Sequence, residues 1–228
     1  MLIIADSRAP KAAKKKLERL GEVLWLEPQP YAYPAIAAHP DIFFCQIGKT
    51  AVAAPNAPQN ITEKLTETGF PISQGKSEIG AKHPETTFYN AVFTNTLFIH
   101  HTKLSDASLL ARFEKRTVIH TPQGYTRCNL MALSETAFLT SDRSIEKALL
   151  QQNAEVLFVD PKEILLPGVN HGFIGGCCGM IDQKLVVLGS FNFHSQGAEI
   201  RKFIEKQEID VVELYDGTLW DGGGILCF

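Results

Sequence analysis

The residues best suited to chemistry gather in two glycine-dense stretches. One is Gly168-Val169-Asn170-His171-Gly172-Phe173-Ile174-Gly175-Gly176-Cys177-Cys178-Gly179; the other runs from Asp216 through Asp221-Gly222-Gly223-Gly224-Ile225-Leu226-Cys227 to Phe228. Three successive glycines permit backbone conformations and close approaches that other residues forbid, and a thiol follows three residues after the last of them. Cysteine hydrolases and transferases need a thiolate as nucleophile and a histidine to move protons. Cys227 and His171 supply both groups if the fold brings them together. The plainer alternative is a glycine turn leading into a last buried strand, with Cys227 a small core residue and His171 a structural histidine.

Other chemistries find less support. Cys177-Cys178 with His171 would make a poor chelate, since adjacent cysteines seldom hold one ion and no CxxC or HxxxH spacing accompanies them. No metal and no cofactor are expected. His100-His101 lie in strand-like sequence, so their side chains face opposite sides, and they read as ordinary sheet residues. Five cysteines, Cys45, Cys128, Cys177, Cys178 and Cys227, form no disulfide framework in a chain of 228 residues, which points to free thiols.

A net charge of -3 gives no field to hold a polyanion, and the one basic cluster, Lys11 to Lys16, reads as the solvated face of a helix. Nucleic acid is therefore not expected as a partner; a small-molecule ligand is. No apolar run reaches the roughly 20 residues of a membrane span, and the start Met1-Leu2-Ile3-Ile4-Ala5-Asp6 meets an acid too early for a signal peptide. The expectation is a cytoplasmic protein with no membrane partner.

Five helices must position these groups, opening near Ala9, Asn60, Ser105, Asp142 and Gln196. In the second, Asn60 and Glu63 form a capping-box pattern and Gly69 suits a left-handed stop. Strands follow each helix, at Val23–Leu26, Phe70–Ile72, Thr117–Ile119, Glu155–Val159 and Asp210–Leu214. Others precede them: Ile42–Cys45 pairs with Thr50–Ala53 across Gly48-Lys49, Ala91–Phe93 with Leu97–Ile99 across Asn95-Thr96, and Phe173-Ile174 with Lys184–Leu188. The unit is strand, strand, helix, strand, recurring every roughly 35 to 55 residues, with units one and four abbreviated. A doubly wound sheet competes, but Ala5-Asp6-Ser7-Arg8-Ala9-Pro10 lacks the glycines of a phosphate loop.

A fivefold strand–strand–helix–strand chain ending in Gly-Gly-Gly-Ile-Leu-Cys resembles the pentein superfamily of guanidino-group-modifying enzymes. The likeness spans essentially the whole chain and implies an α/β fold, a five-bladed β/α propeller with pseudo-fivefold strand–strand–helix–strand repeats in one domain, 1–228. It implies Cys227 as nucleophile on a guanidinium carbon and His171 as acid and base. A weaker echo of the deiminases' Asn-x-x-Phe-Thr-Arg-Asp begins at Asn90, a candidate substrate-binding residue. Asn95-Thr96 stand where that motif has Arg-Asp, and Phe173 stands where an acid often follows the histidine. Other carboxylates must then hold the cation, and Asp41, for substrate binding, and Asp221, in the catalytic group, are the candidates; each can instead cap a turn. The activity implied is a cysteine-dependent hydrolase or amidinotransferase-like reaction at a guanidine or amidine C–N bond. The alternative is a non-catalytic binding protein of the same fold.

Overall fold

The apolar residues alternate or recur in short runs, and most of these runs become strands of three-stranded sheets. The computed structural model describes residues 1–113 and 115–228. The chain opens with β1 (Leu2–Asp6), α1 (Lys11–Leu17) and β2 (Glu22–Leu26). The second unit is α2 (Pro40–Phe43), β3 (Phe44–Ile47), β4 (Thr50–Ala53), α3 (Gln59–Glu67) and β5 (Ile72–Gln74). The third is β6 (Val92–Phe93), β7 (Leu97–His100), α4 (Ala107–Leu110) and β8 (Thr117–His120). The fourth is α5 (Thr126–Asn129), β9 (Leu130–Ala132), β10 (Ala137–Thr140), α6 (Arg143–Leu150) and β11 (Glu155–Phe158). The fifth is β12 (Cys178–Ile181), β13 (Lys184–Val187), α7 (Gly197–Glu205) and β14 (Asp210–Glu213), and β15 (Leu226–Cys227) returns to the first sheet.

The sheets run β15-β1-β2, β3-β4-β5, β6-β7-β8, β9-β10-β11 and β12-β13-β14. In each, the first strand pairs antiparallel with the second, while the third is parallel to the second and reached through a helix, as a parallel crossover requires. The first strands pack on one another, β3 against β6 and β12 against β15, so they line the axis of a five-bladed β/α propeller. The first blade is closed by both ends of the sequence: Ile3 lies opposite Cys227 and Ile4 opposite Leu226. Leu2 and Phe228 exchange two backbone hydrogen bonds of 2.8 Å.

Four helices bury a pair spaced by four residues, Ala13/Leu17, Ile61/Leu65, Ile145/Leu149 and Ile200/Ile204, the stripe that fixes a helix on a sheet. Each Ile or Leu so buried contributes about 2 kcal/mol. The Lys11–Lys16 cluster behaves as a wet face: Lys14 lies over the Trp25 ring and its ammonium donates to the Ser7 carbonyl. No helix among the described residues is long and apolar enough to cross a membrane.

Several boundaries differ from expectation. Asn60 is not a cap; α3 follows Pro58, and Glu63 accepts from the Gln59 side chain on the same helix face instead. Proline at that position sets the entry angle without a side-chain cap. The stop at Gly69 is left-handed, φ 75°. Asp142 caps α6 as expected, accepting from the amides of Ser144 and Ile145, whereas Asp106, not Ser105, caps α4. Ile42-Phe43 belong to a helical turn before β3, because Pro40 supplies a helical φ there. Phe173-Ile174 are no strand; the chain makes a 3-10 turn over Gly175–Cys177 and the partner of β13 is β12. All five blades are complete, so units one and four are not abbreviated.

Neighbouring blades are also tied at their rims. The Glu135 carboxylate accepts from the amides of Asn95 and Thr96 and the hydroxyls of Thr94 and Thr96 in the β6–β7 turn. Partial burial would raise its pKa, but those hydrogen bonds outweigh it and hold the group down at about 2. A carboxyl depressed in the fold stabilises above its unfolded value and loses that contribution as pH falls through the folded one. Glu135→Ala is expected to cost about 2 kcal/mol at neutral pH in urea unfolding, a difference that shrinks between about pH 4.5 and pH 2.

Candidate active site

Each blade's first strand is preceded by a segment at the same end of the propeller, and these five segments build the site. They bring in Asp41, Asn90, Arg127 with Cys128, Gly175-Gly176, and Asp221 with Gly222–Gly224. A closed belt of hydrogen bonds joins them. The Asn90 amide donates to the Asp41 carbonyl (3.3 Å), and its oxygen accepts from the Cys128 backbone (3.1 Å). The Arg127 guanidinium donates to the carbonyls of Gly175 (2.7 Å) and Cys178 (3.0 Å). Gly222 and Gly224 donate to Gly176, and Asp41 donates to Gly223, which completes the ring.

The glycines are there because side chains fill the space a Cβ would need. A Cβ on Gly176 would lie 1.9 Å from Asp221 Oδ1, and one on Gly223, at φ 69°, 2.2 Å from the His39 Cβ. The two glycine stretches therefore wrap Asp221 and His39. Asp221 accepts from the amides of Phe173 (2.9 Å) and Gly223 (3.0 Å). His39 stands between two acids, its Nδ1 3.9 Å from Asp221 and its Nε2 3.9 Å from Asp6, too far for hydrogen bonds.

Asp6, Asp41 and Asp221 are each 1% exposed. Asp6 is neutralised by Arg8, which grips both carboxylate oxygens and also donates to the carbonyls of Pro34 and Ala35. Asp41 has no such partner: both its oxygens lack a hydrogen bond, as does His39 Nε2. The neighbouring Asn90 amide gives one hydrogen to the Asp41 carbonyl and the Cys128 thiol points to Asn90, while both groups, with the Arg127 charge, sit close enough to oppose the rise in the Asp41 pKa. Burial, then the charge of Asp221, pushes Asp41 up to about 7, and burial raises Asp221 to about 6 against its two amide bonds. Burial, then Arg8, lowers His39 to about 3, so its ring is neutral.

Above these groups opens a cavity of about 320 Å³. His39, Cys128, His171 and Asp221 line it, with Tyr33, Tyr125 and Phe173 among the walls. Two of the expected site residues thus meet, Asp221 and His171; Asp41 lies just behind, in the charge field of Asp221. Asn90 does not line the cavity, because both ends of its amide are engaged in the belt.

Cys227 is not brought to His171, and the expected pairing fails for a reason of register. Cross-strand partners share a face of a sheet, and the partner of Cys227 is Ile3, a core residue packed with Ala13, Leu17 and Trp220. Cys227 joins that apolar packing, half-buried, and does not line the cavity; burial, then Asp182, raises its pKa. Asn95 and Thr96 lie in the rim turn held by Glu135, far in the blade from the segment that carries Asn90. His100 is a buried strand residue bonded to Ser105 and the Gly124 carbonyl. Among the described residues, no group of three or more His, Cys, Asp or Glu side chains is arranged to hold a metal ion.

The reading of the sequence missed His39, Arg127 and Cys128. Their signal was positional: each lies just before the first strand of a blade, as Asp41 and Asp221 do. Cys128 is the cavity's thiol, and burial, then Asp41 and Asp221, pushes its pKa well above the ordinary value.

Five three-stranded blades around one axis give the chain the pentein fold, a five-bladed β/α propeller. The chain belongs to the Family of unknown function (DUF6873), whose pattern residues 4–226 match. No curated protein matches the sequence. Solved structures similar in fold include a dimethylarginine dimethylaminohydrolase from Pseudomonas aeruginosa complexed with citrulline, at 12% identity and TM-score 0.54, covering 93% of this chain and 91% of that one. An agmatine deiminase from C. jejuni follows at 10% identity and TM-score 0.54, covering 96% and 78%. The inosamine-phosphate amidinotransferase of Streptomyces griseus is 13% identical with TM-score 0.52, covering 97% and 93%.

The buried acids carry a stability cost that grows with pH. An acid whose folded pKa is raised above its unfolded one keeps its proton in the fold, so stability falls as pH rises from about 4 to about 7. Asp41→Asn is expected to flatten that fall and to raise the melting temperature at pH 8 by about 5 °C, the equivalent of about 2 kcal/mol in a chain of this size. A variant less stable than the parent at pH 8 would show that Asp41 already has a counter-charge.

Proposed function

We propose that the cavity binds a small organic cation of the amidine or guanidine class, held by Asp221 at its inner wall and by Asp41 behind it. The observation that carries this reading is Asp41, a fully buried carboxyl with neither oxygen hydrogen-bonded. An unpaired buried carboxylate is costly, and a planar cation paired with Asp221 at the wall would lower that cost by placing its positive charge close to Asp41. His39, neutral between two acids, adds an acceptor or a donor at the same wall. The fold relatives that act on guanidino compounds are consistent with such a ligand.

Melting curves at pH 8 with acetamidinium and with its neutral isostere acetamide test the reading. Acetamidinium at about 100 Kd is expected to add about 2.7 kcal/mol of stability, acetamide none, and Asp221→Asn to erase the difference. Equal effects of the two compounds on the parent would refute it.

A second reading is catalytic, and the thiol in the cavity favours it. Cys128 Sγ would add to the amidinium carbon, the C–N bond to the amine would break, and the amine would leave with the thiol proton; water would then add to the carbon and release it, restoring the thiol. A bound cation would lower the Cys128 pKa by offsetting Asp41 and Asp221. Alkylation by iodoacetamide read by mass spectrometry separates this from simple binding and also tests Cys227. Under the catalytic reading acetamidinium speeds labelling of Cys128; under binding alone the ligand shields it, while half-buried Cys227 reacts at an unchanged rate either way. Labelling of Cys227 that tracks the ligand would return it to the nucleophile's role.

A further inference from the structure

The walls of the cavity specify what the cation must carry. Away from His39 and Asp221, most of the lining is apolar or aromatic, Tyr33, Ile36, Tyr125, Leu166, Val169 and Phe173 among it, with Asn170 and His171 as polar members, and no lysine or arginine is among the lining residues. The two guanidinium groups nearby are committed. Arg8 is spent on Asp6 and on the carbonyls of Pro34 and Ala35, and Arg127 on the carbonyls of Gly175 and Cys178. The first of these commitments also fixes the wall, because Arg8 fastens the segment that contributes Tyr33, Ala35 and Ile36.

A ligand with a carboxylate would therefore meet no lysine or arginine, only the polar side chains of Asn170 and His171, and would bring its charge toward the Asp221 carboxyl. A ligand with a flat or branched hydrocarbon group would bury it there, against the Tyr125 and Phe173 rings. The volume of about 320 Å³ lies at the small end of ligand pockets and suits one ring or a short alkyl chain beside the cationic head. Resting on the cation-binding reading, we propose that the ligand is an amidinium or guanidinium bearing an apolar aryl or alkyl substituent, and that the site rejects amino acids.

Calorimetric titration of the full chain at pH 8 with benzamidine, L-arginine and benzamide tests this. Benzamidine is expected to bind at least about tenfold more tightly than either of the others. Arginine binding as well as benzamidine, with benzamide inert, would overturn the substituent inference and leave the cation site standing. Benzamide equal to benzamidine would overturn the cation site itself, and no binding of any of the three at about 10 mM would overturn both. Val169, at the lip and 39% exposed, provides a variant that does not disturb the core. Val169→Lys is expected to narrow the benzamidine-to-arginine ratio by about tenfold, through loss of apolar contact and gain of a carboxylate partner; an unchanged ratio counts against the inference.

Discussion

The belt of hydrogen bonds around the propeller axis is the constraint on which this structure turns. Each blade's leading segment is hydrogen-bonded to the next, and Asn90 serves two neighbours at once through the two ends of one amide. Arg127 reaches across to the carbonyls of Gly175 and Cys178, a use of its fork that fixes the position of the fifth blade relative to the fourth. Because the belt satisfies main-chain groups that the short axial strands leave open, it can hold ionisable side chains out of water at the same level. Asp41, His39 and Asp221 are buried by that geometry rather than by their own pairing.

The burial has electrostatic consequences that run in opposite directions. Both carboxyls resist losing a proton and the imidazole resists gaining one, so the cluster approaches neutrality only as pH falls below about 6. A fold under no functional demand would exchange such a cluster for hydrocarbon, since replacing buried charges by well-packed apolar groups is often stabilising. Keeping an unpaired carboxyl beside a cavity fits the cation-binding proposal, in which stability is given up for affinity.

Much of the architecture was legible because it rests on local periodicity. The alternation of hairpin and amphipathic helix exposed five units, and the buried pairs Ile145/Leu149 and Ile200/Ile204 lie where the stripes indicate. Asp221 and Asp41 were picked out through their neighbours, glycines in one case and a His-Pro pair in the other, and the structure buries both beside the cavity. What misled was composition read without register. Cys227 has the glycine context of a nucleophile, yet its place opposite Ile3 on the pleat decides which face it joins, and period-two alternation gives no warning when a strand is two residues long. His39, Arg127 and Cys128 carry no motif, and only their common place ahead of the axial strands, a three-dimensional fact, marks them.

The seam in the first blade bears on how the molecule comes to be assembled. Four blades are built from strands close together in sequence and can form as local units, whereas the first needs β15 beside β1, a contact between residues at opposite ends of the chain. Such distant contacts carry the largest loop-closure cost and form slowly. Asp221 and the glycines that enclose His39 arrive on that same final segment. During synthesis, then, a nascent chain with four finished blades still has an open ring and an incomplete acidic cluster, and both are completed only once the segment from Asp221 to β15 has been made.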